Sequence, residues 1–140
     1  MTTRTDFAKY LTRFLSEYLP QKRNVSKTTI ASYRDSFVQF INYMKDINGI
    51  PVERLLLKHL TRDNVINYLQ WLHNTKKNTS ATCNYRLAAI RSFCSYLQYI
   101  VIDNMVEWQS ILSIKAKKTE ISPPNYLSME GIKLLLAQPD

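Results

Sequence analysis

KKNTSATCNYRLAAIRSFCSYLQY, from Lys76 to Tyr99, is the stretch on which the fold turns. It opens as a basic, hydroxyl-rich loop. It continues with Cys83, Leu87, Ile90, Cys94 and Leu97 at three- and four-residue steps, the spacing that keeps one face of a 3.6-residue helix buried. Ser80 is placed to cap that helix, its hydroxyl accepting from an N–H of the first turn. No Asp or Glu occurs between Asn64 and Ile102, whereas Lys76, Lys77, Arg86 and Arg91 all fall inside. A helix N-terminus carries partial positive charge and free N–H donors. Lysines and hydroxyls added there, with no carboxylate near, suit a phosphate backbone; a solvated basic helix face is the plainer alternative.

Working outward, the flanking segments have the same helical period. Asp6 to Tyr18 forms a first helix with Phe7, Tyr10, Leu11, Phe14, Leu15 and Tyr18 on one face, stopped by Pro20. After the basic loop QKRNVSK, Ser26 caps a second helix running to about Asn48. Its stripe is Ile30, Tyr33, Phe37, Phe40, Ile41, Met44 and Ile47, and Gly49 ends it. The opposite face (Thr28, Ser32, Asp35, Gln39, Asn42) is polar and flanked by Lys27 and Arg34. Residues 50–60 are a connector with a short helical turn at Val52 to Leu57. Thr61 then caps a third helix carrying Val65, Ile66, Leu69 and Leu72 inward. A fifth, weaker helix spans Asn104 to Leu112.

These runs, together with only two glycines in 140 residues, argue for an all-α bundle of four to five helices. The domain organisation expected is 1–112 for the bundle, 113–126 for a polar linker with a double proline, and 127–140 for the first helix of a further domain. A net charge of +8 and a pI near 9.6 call for an anionic partner, nucleic acid before membrane. No apolar run spans a bilayer and no signal peptide opens the chain, so it reads as cytoplasmic. Cys83 and Cys94 share a stripe three turns apart, which forbids a disulfide between them and makes both buried thiols. His59 and His73 complete no metal set, and no carboxylate pair, glycine-rich loop or triad is present, so no catalytic residue, cofactor or metal is expected. Most of the nine tyrosines sit on apolar stripes, as packed rings with surface hydroxyls.

Two helix starts match: VSKTTIASYR and NTSATCNYRLAAIR each begin with a cap, then Thr, then Tyr-Arg. In both, the Tyr is expected inward or at the margin while small polar residues and the Arg reach outward. The segments SKTTIASYRDSFVQFINYM, LTRDNVINYLQWL and SATCNYRLAAIRSFCSYL, followed by PPNYLSMEGIKLLL, resemble the N-terminal core-binding, SAM-like domain of the tyrosine recombinases, or phage integrases. The likeness covers nearly the whole chain. It implies half of a C-shaped clamp, with the second and fourth helices across the major groove of the core recombination site. The catalytic domain, which carries the nucleophilic tyrosine in that family, begins only at the junction helix. No residue here inherits a catalytic role, and the chain itself is expected not to be an enzyme.

The residues expected to meet DNA are Lys27, Thr28, Thr29, Ser32 and Arg34 in the second helix. In and before the fourth they are Lys76, Lys77, Thr79, Ser80, Thr82, Tyr85, Arg86 and Arg91, and in the linker Lys115, Lys117 and Lys118. Lysines and hydroxyls would hold phosphates, while Thr82, Arg86 or Ser32 would reach bases. An intramolecular pairing is the alternative for Arg86, at the edge of the apolar stripe. The partners expected are double-stranded DNA and, in the full-length protein, other recombinase protomers on that DNA; no membrane is involved, and the chain alone should be monomeric. The rival readings are a helical protein–protein module and a DNA-binding regulator outside the recombinases.

Overall fold

The computed structural model describes residues 4–22 and 24–117, and among these every regular element is helical. Helix α1 (Asp6–Arg13) is capped by Thr5, whose Oγ1 accepts from the Ala8 N–H at 3.1 Å. The helical path then widens into a π turn over Phe14–Tyr18 and tightens into a 3-10 turn over Leu19–Gln21. Pro20 therefore does not stop the winding where the sequence suggested. It sits at the start of the 3-10 turn, where its missing N–H needs no partner.

Helix α2 (Lys27–Asp46) starts at Ser26 as expected and gives way at Gly49, whose φ of 71° is open to glycine at no steric cost. Ile47, expected on the inner stripe, is instead 52% exposed: it lies in the cap, past the last turn that faces the core. The connector holds two 3-10 turns, Val52–Arg54 and Leu57–His59, and is more than a link. Leu55, Leu57 and Leu60 are buried, and Asp6 Oδ1 accepts from the Leu57 N–H at 2.9 Å, tying the connector to α1. Helix α3 (Arg62–Asn74) is capped by Thr61, again as expected.

Helix α4 (Ser80–Ile100) is the centre of the bundle and packs against α2, α3 and α5 (Met105–Leu112). All five residues of its expected stripe are buried, and so are Ala89, Phe93 and Tyr96. Phe93 lies among Phe7, Phe14, Phe37 and Tyr96, with ring centroids 5.9, 5.3, 5.4 and 6.3 Å away. The first three are edge-on or tilted and the last is stacked, contacts that add to the gain from the area the rings bury. Trp108 of α5 is fully buried, its indole N–H donating to the Val101 carbonyl at 2.9 Å. No helix among the described residues is long and apolar enough to cross a membrane.

Cys83 and Cys94 are unpaired and buried. Burial pushes both thiols up, Cys94 to about 12, while the Lys117 ammonium partly offsets the rise at Cys83. Only a thiolate attacks an alkylating agent. Treating the native protein with iodoacetamide at neutral pH should therefore label both slowly, Cys94 more slowly than Cys83; rapid labelling of both would mean that α4 is phased wrongly.

Residues 118–126 of the linker, the junction helix expected after it, and Lys118 lie outside the described residues.

Candidate nucleic-acid interface

The two matching helix starts fold into the same capping geometry. At α2 the Ser26 hydroxyl accepts from the Thr29 N–H at 3.1 Å and donates to the Thr29 hydroxyl at 3.1 Å. At α4 the Thr79 hydroxyl accepts from the Thr82 N–H at 3.1 Å and donates to the Thr82 hydroxyl at 3.2 Å. The cap of α4 is thus Thr79 rather than Ser80, which is the first residue of the helix proper. Each start presents hydroxyls and free backbone donors, with no acidic residue in the first turn.

Counted from these caps, the Tyr-Arg pair of α4 comes one residue sooner than that of α2, about 100° around the helix. That offset reverses the roles. In α2, Tyr33 is half-buried and Arg34 exposed, as expected. In α4, Tyr85 is exposed and Arg86 turns inward, against the expectation for both. Arg86 Nη1 donates to Ser36 Oγ at 2.9 Å and to Asp35 Oδ2 at 3.2 Å, bridging α4 to α2. Asp35, expected on the outer polar face, is the exposed half of this ion pair, and Ser36 beside it is buried.

The loop before α4 is closed by its backbone. The N–H groups of Thr75 and Lys76 both donate to the Trp71 carbonyl, and that of Asn78 donates to the Leu72 carbonyl at 2.9 Å. Closing it places Lys77 at φ 60°, the left-handed region that disfavours a side chain. The Lys76 ammonium lies 5.2 Å from the centroid of the Trp71 ring, a cation–π contact that leaves it at the surface. An ammonium is therefore held at position 77 at a cost to the fold. Lys77→Gly should raise stability by about 0.5–1 kcal/mol in urea denaturation, the relief of strain exceeding the extra chain entropy of glycine. A loss of stability would show that the Lys77 side chain itself supports the loop.

Residues 11–99 match the family described as phage integrase, N-terminal SAM-like domain. The chain belongs to that family. Among its relatives, the integrase/recombinase y4rC of Sinorhizobium fredii is 30% identical over 140 residues, covering all of this chain and 42% of that protein. The tyrosine recombinase XerD of Rickettsia bellii is 27% identical over 91% of this chain and 38% of its own length. The tyrosine recombinase XerC of Herpetosiphon aurantiacus is 34% identical over 63% of this chain and 26% of its own. The chain thus spans about two-fifths of the length of the first two. No solved structure matches it significantly.

In this integrase SAM-like domain the expected contact residues divide by position. Lys27, Thr28, Arg34, Lys76, Lys77, Thr79, Tyr85, Lys115 and Lys117 are exposed; Thr29, Ser32, Ser80, Thr82, Arg86 and Arg91 are half-buried. The hydroxyls of Thr29 and Thr82 are engaged in the caps, and Arg86 is engaged by Asp35 and Ser36. Arg91 shares an open groove of about 670 Å³ with Lys22, Asn24, Tyr33, Ser92 and Ser95. The sequence reading missed the last two, although Ala88, Ser92 and Ser95 recur at helical spacing as small residues on the outer side of α4. It also missed Asn84, which holds the backbone of Lys117. Among the described residues no group of three or more His, Cys, Asp or Glu side chains could hold a metal ion.

Proposed function

We propose that this domain binds double-stranded DNA and grips the core site of a tyrosine recombinase through the starts of α2 and α4. The observation that carries the reading is the pair of hydroxyl-capped helix N-termini, each without an acid in its first turn. Lys27 stands beside one and Lys76 and Lys77 beside the other. Free N–H groups and ammonium ions meet phosphates there, while Tyr85, Ser32 and Thr82 are set to approach base edges. Arg86, occupied by Asp35 and Ser36, serves to hold α2 and α4 at a fixed spacing. The relatives include named tyrosine recombinases, and this chain spans about two-fifths of the length of y4rC and XerD, so in this reading the nucleophilic tyrosine belongs to the remainder of a whole recombinase. On that reading cleavage is the work of the whole recombinase, and the part of this domain is to hold the DNA.

Exposed apolar residues at the far end of α4 and the start of α5, Tyr99, Ile100, Ile102 and Val106, give a protein-contact role its own footing. They suit a neighbouring protomer on the same DNA.

Changing Lys76 and Lys77 together to Ala tests the DNA reading in fluorescence-anisotropy titrations of labelled duplexes. The slope of log affinity against log salt should flatten by about two units, with all duplexes weakened alike. An unchanged slope would remove this loop from the interface.

A further inference from the structure

After α5 the chain does not leave the bundle at once. Arg62, at the start of α3, donates from Nη1 to the Ser110 carbonyl and to the Ser113 hydroxyl, the latter at 2.8 Å. Its backbone N–H donates to Glu107 Oε2 in the first turn of α5 at 2.8 Å, so the start of α3 is joined to α5 and its C-cap at three points. The Ser113 hydroxyl donates onward to the Ser110 carbonyl at 2.7 Å. The next residue, Ile114, is buried at 7% exposure. Three residues further on, Asn84 of α4 takes hold of Lys117. Asn84 Oδ1 accepts from the Lys117 N–H at 2.7 Å, and Asn84 Nδ2 donates to the Lys117 carbonyl at 2.8 Å. One side-chain amide thus satisfies both backbone groups of a residue that a free linker would leave to water.

Beneath this segment lie Ile66, Leu69, Cys83 and Leu87, around a cavity of about 190 Å³ that Ile114, Lys115 and Lys117 help to enclose. Asn84 stands in the second turn of α4, next to Tyr85 and just past the Thr79–Thr82 cap.

We propose that Ser113–Lys117 is a docked strap, and that Asn84 is the positioning residue that brings the Lys117 side chain alongside DNA bound at the start of α4. The role at DNA rests on the DNA reading of the preceding section; the docking itself does not. The strap makes residues 113–117 part of the gripping face. Its first residues are ordered before DNA arrives, so the entropy of placing that ammonium is already lost on folding.

Asn84→Ala in the 140-residue chain tests both halves, and alanine at a helical position does not threaten the fold. Iodoacetamide labelling read by mass spectrometry reports the docking, because Cys83 lies under the strap and Cys94 does not. Opening the strap should speed labelling of Cys83 by about tenfold and leave Cys94 unchanged. An unchanged Cys83 rate would overturn the docked strap. Duplex titrations of Lys117→Ala, made with and without Asn84→Ala, report the positioning. Lys117→Ala should weaken binding roughly threefold in the otherwise unchanged chain and less than about twofold beside Asn84→Ala. Equal losses in both backgrounds, or none in either, would overturn the positioning role. If the unchanged chain bound no duplex at all, the DNA reading would fail and take the positioning role with it, while the Cys83 rates would still decide the docking.

Discussion

Phe93→Ala should cost about 3–5 kcal/mol of stability, a large part of the roughly 5–15 kcal/mol that domains of this size have in all. Phe93 is wholly buried and its ring meets Phe7 of α1, Phe14 of the π turn, Phe37 of α2 and Tyr96 of its own helix. Truncation removes the transfer energy of the ring and leaves a cavity that rigid neighbours fill poorly. Phe93→Leu keeps most of the volume and should cost about 1.5 kcal/mol. Tyr99→Ala, on the same helix but 79% exposed, should stay within about 0.5 kcal/mol of the parent. Urea unfolding followed by tryptophan fluorescence reads all three, Trp108 being fully buried. A cost at Phe93 no larger than at Tyr99 would mean that α4 is not the centre of the bundle.

Phe93 also marks the limit of what periodicity shows. The stripe Cys83, Leu87, Ile90, Cys94 and Leu97 is legible because one helix face repeats every three or four residues. A helix surrounded on three sides buries a wider arc, and that arc takes in Ala89, Phe93 and Tyr96. Tyr68 was missed in α3 for a related reason: a tyrosine reads as amphipathic, yet its ring is buried between Phe40 and Tyr43 and its hydroxyl lacks a protein partner among the described residues. Caps were readable at Ser26 and Thr61, where one hydroxyl precedes each helix. In NTSAT two hydroxyls stand side by side, and the choice of Thr79 over Ser80 depended on which backbone turned extended.

The candidate face was legible in its composition but not in its phase. The acid-free run and its lysines were plain in the sequence, and the exposed Lys76, Lys77, Lys27 and Arg34 follow from it. Arg86 looked equivalent to Arg34 because both follow a tyrosine. A shift of one residue from the cap placed it against Asp35 instead. The grip of Asn84 on Lys117 joins residues 33 positions apart, and no local pattern announces such a pair.

Raising salt from 50 to 200 mM should weaken duplex binding by about 1,800-fold. Six contacts by Lys27, Arg34, Lys76, Lys77, Arg91 and Lys117, at roughly −0.9 each, give a log–log slope near −5.4, which a fourfold change in salt converts to that factor. Arg86 is left out of the count because Asp35 already neutralises it. Anisotropy titrations on one duplex at four salt concentrations give the slope. A value near −1 would confine the electrostatic grip to a single site and leave a protein-contact module as the better account.

The most direct measurement of the central claim is a titration of nitrogen-15-labelled protein with a short duplex, followed through the backbone amide signals. Binding through the two helix starts predicts that the largest shifts fall at residues 26–34 and 76–92 and at Lys117. The amides of Tyr99 to Val106, at the far end of α4 and the start of α5, should stay where they are. Shifts concentrated at Tyr99 to Val106, with the two helix starts silent, would contradict the account.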